Sequence, residues 1–166
     1  VSTGDAVDRE TAWLKASGDG LPALLVADGG PWDVVQAYVP RTPGQRQSQI
    51  YVVRRGFDTH RWSQQRRMAS FRFHLACMWP VGGTTIDTSI AEAEQRAFDA
   101  ALALLVQRIE GHVGDKSHGG RFLSIGESPD GTLIDVQYDD PAKSIAGGAF
   151  LSAQVTYTGD DTDYVM

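Results

Sequence analysis

Met68-Ala69-Ser70-Phe71-Arg72-Phe73-His74-Leu75-Ala76-Cys77-Met78-Trp79 is the stretch that decides how this chain is read. Ala69, Phe71, Phe73, Leu75, Cys77 and Trp79 share one parity, and Ser70, Arg72 and His74 share the other. Alternation with a period of two over this length is the pattern of a strand with one buried and one wetter face. Pro80 ends it, because proline has no N–H to give to a ladder. The wetter face can meet solvent or another subunit.

Working outward, the sequence predicts a helix over residues 5–16, with Ala6, Arg9, Ala12, Trp13 and Ala16 at helical spacings. Ser17-Gly18-Asp19-Gly20 stops it, and Asp28-Gly29-Gly30-Pro31 reads as a turn. Residues 34–39 read as a strand ending at Pro40, and residues 50–53 as another. Residues 54–60 read as a polar turn or bulge. C-terminal to the central strand, Ser89-Ile90-Ala91-Glu92 fits a capping box. It opens a long helix, about residues 89–112, whose stripe is Ile90, Ala93, Ala97, Ala101, Leu104, Leu105 and Ile109. Glu92 and Arg96 form an i,i+4 pair, and Gly111 or Gly114 supplies the stop. Residues 121–125, 132–138 and 149–158 read as further strands, with Ser128-Pro129-Asp130-Gly131 as a turn and Gly147-Gly148 before the last strand. The order favours an α+β domain, a mainly antiparallel sheet packed by the long helix and the N-terminal helix. One domain over residues 1–158 and an acidic arm over 159–166 are expected; the arm either frays or docks through Tyr164 and Val165.

The charge is segregated. The chain of 166 residues carries −6 overall, yet residues 1–80 carry +3 and residues 81–166 carry −9. Between positions 41 and 72, eight arginines face only Asp58. A basic segment and an acidic remainder in one chain point to self-complementarity within the fold or between copies. Arg46, Arg54, Arg55, Arg61, Arg66 and Arg67, with Tyr164 and Val165, are therefore the candidate protein-interface residues. An ordinary exposed loop and direct nucleic-acid binding, with Tyr51, Phe57 and Trp62 for stacking, are the other readings of the arginines. The net acidity and the lack of a nucleic-acid-binding motif weigh against the last.

Catalytic patterns are scarce. The sequence has no G-x-S-x-G elbow, no H-E-x-x-H helix and no phosphate-binding G-x-x-x-x-G-K-[ST] loop. His112, Asp115 and His118 form a compact group of metal-ligating types, but their glycine-rich surroundings read as a helix end and solvated turn. Cys77 sits on the apolar parity and reads as a buried small hydrophobe, and as the sole cysteine it forms no internal disulfide. His74 has no evident acid or nucleophile in register. No catalytic residue, cofactor or metal is assigned, and an enzyme is not expected. No apolar run approaches the roughly 20 residues of a membrane span. No secretory signal opens the sequence, so intracellular synthesis is expected.

An N-terminal helix ending near Trp13-Leu14-Lys15 precedes a Pro-bounded extended region and the strand Ser70-Phe71-Arg72-Phe73-His74-Leu75-Ala76-Cys77. The helix beginning Ala91-Glu92-Ala93-Glu94-Gln95-Arg96-Ala97 and continuing Leu102-Ala103-Leu104-Leu105-Val106-Gln107-Arg108-Ile109-Glu110 precedes a Gly-Gly loop and terminal strands. This order resembles the tail terminator, or tail completion, proteins of long-tailed bacteriophages, especially those of actinobacterial hosts. The resemblance covers most of residues 5–158 and extends neither to the arginine segment 46–67 nor to the acidic tail. It implies a structural virion protein that forms a ring, typically a homo-hexamer, at the head-proximal end of the tail tube. Such a ring ends tube polymerisation and joins the tail to the head connector, while genomic DNA passes through the lumen without sequence-specific binding. The implied partners are other copies, the tail-tube protein and the connector or neck protein, with no membrane. The implied location is the virion tail, assembled in the host cytoplasm. On this view the arginines lie at subunit or ring-to-ring contacts and acidic residues line much of the channel. Another neck, connector or tail-tube protein is the nearest alternative; a small nucleic-acid-binding domain or enzyme is a different-class alternative.

Overall fold

The computed structural model describes residues 3–41, 47–61, 63–64, 66–81, 88–111, 115–125, 134–140 and 150–164. Among these, α1 spans Thr3–Lys15 and α2 spans Thr88–Glu110. The strands are β1 (Val34–Ala37), β2 (Gln49–Arg61), β3 (Arg66–Pro80), β4 (Ser124–Ile125), β5 (Ile134–Tyr138) and β6 (Phe150–Tyr164). The class is α+β, with a curled mixed sheet and two helices.

The quoted stretch forms most of β3 at the centre of the sheet. Ala69, Phe71, Phe73, Leu75 and Cys77 are buried, while Ser70, Arg72 and His74 on the other parity are not. β3 pairs antiparallel with β2 on one side and with β6 on the other. β6 in turn holds β5 and, further along, β4 on its far edge. The core-facing row continues across the sheet as Ile50 and Val52 of β2, and Leu151, Ala153, Val155 and Tyr157 of β6.

One pairing corrects the antiparallel expectation: β1 runs parallel to β2, with Val34 opposite Gln49 and Ala37 opposite Val52. The cause is local. Ser48 Oγ accepts the Asp33 N–H at 2.9 Å, the Ser48 N–H donates to Asp33 Oδ2 at 3.0 Å, and the two strand starts are pinned side by side. Tyr38, at φ 63, then turns the chain away, so β1 ends two residues before the expected Val39.

The helices lie on the core face. α1 packs over β1, β2 and β3 and buries Ala6, Val7, Glu10, Trp13 and Leu14, whereas Ala12 is exposed. α2 begins at Thr88, one residue before the expected cap, and stops at Gly111, whose φ of 69 is the left-handed conformation of a helix C′ residue. The long-helix expectation is matched in part. Ala101, Leu105 and Ile109 are buried as read, but Ala93 and Ala97 are exposed, and Phe98, Leu102 and Arg108 complete the packed face. Phe98 meets Trp32, Trp79 and Tyr138 at centroid distances of 6.0–6.4 Å, a bulky aromatic contact that rotates the packed stripe away from the small alanines. The Glu92–Arg96 pair forms as expected, at 2.8 Å and exposed. Neither described helix is long and apolar enough to cross a membrane.

Of the two readings of residues 54–60, turn or bulge, the structure has the bulge: β2 continues through them to Arg61, with Arg55 unpaired between the Arg54–Phe73 and Gly56–Arg72 pairs. The acidic segment is strand as far as Tyr164. It is the last part of β6, placing Asp163 opposite Arg67 and Tyr164 opposite Arg66 in register.

Candidate functional site: an arginine-bearing strand, its cleft and a buried polar cluster

Beyond Val53, every residue of β2 except the half-buried Gly56 is exposed, so neither face of the strand is covered there. At about 3.3 Å per residue the eight positions from Arg54 to Arg61 span roughly 23 Å. β1 covers the outer edge of β2 only as far as Val52, and among the described residues no strand pairs with that edge beyond it. Charge and a bulge are how an exposed edge avoids indiscriminate pairing. Here they also collect Arg54, Arg55 and Arg61 on one strand, with exposed Arg67 on the neighbouring β3. Arg72 is engaged by Asp58 in an ion pair.

Of the sequence candidates, Arg54, Arg55, Arg61 and Arg67 are thus exposed on one two-stranded segment. Arg66 lies at the start of β3, and Arg46 and Val165 lie outside the described residues. Tyr164 belongs to β6. The stacking set for nucleic acid does not assemble. Tyr51 is buried and its hydroxyl donates to Gln49, Trp62 lies outside the described residues, and Phe57 is the one exposed ring, tilted against Phe71.

The bulge opens a cleft of about 550 Å³ on the sheet face away from the helices. Its floor is His74, Gln154 and Thr156; Arg54 and Arg55 stand on one side, Asp135 and Gln137 on the other. Arg54 lies over the Tyr38 ring at 5.4 Å. Asp135 accepts the Gln137 side-chain amide at 3.1 Å and has no ion pair with either arginine. Partial burial, and then the Arg55 charge, hold His74 below the ordinary histidine range. The neighbour that matters to His74 is thus a cation rather than an acid or a nucleophile.

A second polar cluster lies inside the core, where the sequence reading placed a solvated turn. His118 is buried, and its two ring nitrogens face Glu10 Oε2 at 2.9 Å and the Ile109 carbonyl at 2.7 Å. The Tyr157 hydroxyl donates to Glu10 Oε1 at 2.6 Å. Trp13 stacks on the His118 ring at 3.4 Å and 6°, and the Arg108 guanidinium covers Trp13 at 4.5 Å. Arg108 also donates to both carboxylate oxygens of Asp19 at 2.9 Å. Burial alone would raise Asp19, but the Leu21 N–H and Arg108 outweigh it and hold the carboxyl below its usual range. The expected turn is real, since His118, Gly119 and Gly120 all have positive φ. Gly119 and Gly120 are exposed, and His118 alone is buried, its imidazole satisfying a carboxylate and a helix-end carbonyl.

This arrangement is structural chemistry. With both nitrogens engaged, His118 has none left for a metal; Asp115 accepts the Ser117 N–H at 2.9 Å, and His112 lies outside the described residues. Cys77 is buried in the apolar row as read, and burial pushes its thiol up, away from the nucleophilic thiolate. The Glu10–His118–Tyr157 cluster was missed in the sequence because its members lie far apart; the one available signal was a glutamate on the apolar side of a short amphipathic helix. A scan against models of known protein families finds none that matches the chain, and a search of curated proteins finds no similar one.

Proposed function

We propose that this chain is a structural subunit that assembles with copies of itself into a ring, a tail terminator at the head-proximal end of a phage tail tube. The observation that carries the reading is the uncovered arginine-bearing half of β2 in a chain whose second half carries −9. A basic strand on one side of a subunit and an acidic body elsewhere make a heterologous contact, and such contacts generate closed rings when the rotation closes. The order of elements supplies the rest of the proposal: a hexamer that blocks further tube growth, meets the connector on its other face and lets DNA pass. In this reading the arginines are consumed at protein contacts, the lumen is acidic enough not to retain phosphates, and the chain has no catalytic role.

Negative-stain imaging of the purified chain, alone and with phage tail tubes, tests this. Rings seated at one end of each tube are expected. Rings that bind the connector and ignore tubes would make it a neck protein, and self-polymerisation would make it a tube subunit. Monomers that leave tubes untouched would overturn the reading.

A further inference from the structure

We propose that the cleft at the β2 bulge is a carboxylate site that receives an acidic side chain from the second half of a neighbouring copy, an inference that rests on the ring reading above. Three observations converge on it. Arg55, the bulged residue with no partner across the ladder, makes no hydrogen bond or ion pair among the described residues. Arg54 lies over the Tyr38 ring, a contact that does not neutralise its charge. His74 on the cleft floor lies beside the Arg55 charge.

The cleft's own carboxylate, Asp135, is held by the Gln137 amide at 3.1 and 3.3 Å and is in no ion pair with Arg54 or Arg55. Thr156 and Gln154 add a hydroxyl and an amide able to donate to the same anion. A fork of arginine N–H groups above neutral donors is the arrangement that recognises a carboxylate. Exposed carboxylates are present on the chain itself: Glu110 on α2, with Asp99, which also meets the Tyr138 hydroxyl, and Asp139 after β5, which also accepts from Ser152 Oγ. None of them reaches the cleft of its own subunit. The occupant is therefore assigned to a second copy.

The test uses the full chain. Arg55→Lys keeps the charge and places an amine in the cleft. Heavy-isotope-labelled and unlabelled copies are mixed, assembled and treated with a carbodiimide, and the cross-linked peptides are identified by mass. The expected product joins position 55 of one copy to an Asp or Glu within residues 81–166 of another. Arg55→Glu, checked for native circular dichroism, is expected to weaken self-association by at least about tenfold, through like-charge contact. Rings without an intermolecular link from position 55, or with a link to Asp135 of the same copy, overturn the cleft assignment and leave the ring reading standing. A chain that stays monomeric overturns both. If Arg55→Glu leaves assembly intact and instead removes retention on DNA, the occupant is a phosphate backbone and the carboxylate assignment fails.

Discussion

Glu10 has no exposed surface, yet it accepts from Tyr157 and pairs with His118 inside an otherwise apolar core. His118 itself holds a φ of 50, a left-handed conformation that costs a non-glycine residue about 1–2 kcal/mol. Its two hydrogen bonds and the Trp13 stack offset that cost. His118→Ala leaves the Glu10 carboxylate buried with only the tyrosine, and breaking a buried pair this way is expected to cost about 3–5 kcal/mol. Tyr157→Phe removes one donor to the same carboxylate and is expected to cost about 1.5–3 kcal/mol. Urea denaturation of the two variants checks the order, and a His118→Ala cost below that of Tyr157→Phe would contradict it. A pH dependence follows from Tyr157. Burial, and then the Glu10 charge, hold its phenol well above the ordinary 10.0. A group whose folded value is raised gives its full stabilisation below the unfolded value and loses it as pH climbs towards the folded one. Stability is therefore expected to fall from about pH 9, where the buried Cys77 thiol is also raised, and more steeply above about pH 10; Tyr157→Phe is expected to lessen that fall, leaving the contributions of Cys77 and, smaller, of Tyr138.

At the scale of the element, β6 organises the far side of the fold, holding β3 along one edge and β4 and β5 along the other. Gly159 is where these meet. A Cβ there would lie 2.8 Å from both Ile125 Cδ1 and Phe73 Cε2, and Phe73 is already wedged between Phe122 and Tyr157. Gly159→Ala is expected to cost about 1–3 kcal/mol by overpacking. The loss should appear first as faster hydrogen exchange at Leu123, whose N–H donates to the Asp160 carbonyl at 2.8 Å. Unchanged exchange there would mean that the neighbouring rings can give way. The core halves of β3 and β6 were legible because their parity repeats every second residue. The distal half of β2 was not. Arg54-Arg55-Gly56 has the composition of a turn, the bulge breaks the parity, and exposure on both faces leaves no apolar row to count. Nor was the acidic end of β6, whose strand conformation comes from pairing with β3 rather than from local preference. The packed stripe of α2 was legible in its last turns, and misplaced near Phe98 because small alanines satisfy a helical spacing without filling the space a core requires. The arginines are clustered in the sequence, but the strand that carries Arg54, Arg55 and Arg61 was not legible there, and the cleft depends on which β5 and β6 residues stand across from them.

For the whole molecule, the two halves of the chain are not two charged bodies. Arg9 of α1 pairs with Asp161 of β6 at 2.8 Å, so part of the charge segregation is already closed within one subunit. What remains for assembly is the outer part of β2, where Arg55 and Arg61 are exposed and removed from that contact. This makes a sharp separation between stability and association. Arg55→Glu with Arg61→Glu touches no buried contact, so the unfolding free energy of the monomer is expected to move by no more than about 0.5 kcal/mol. Ring formation is expected to be lost. The wild-type chain should show the same dependence through salt, because the screening length shrinks from about 10 Å at 0.1 M to about 3 Å at 1 M. Sedimentation velocity across that range should therefore find rings at the low end and dissociation towards the high end. Salt-induced strengthening would point instead to apolar burial as the driving force, and rings that persist both in the double variant and at high salt would remove β2 from the interface altogether.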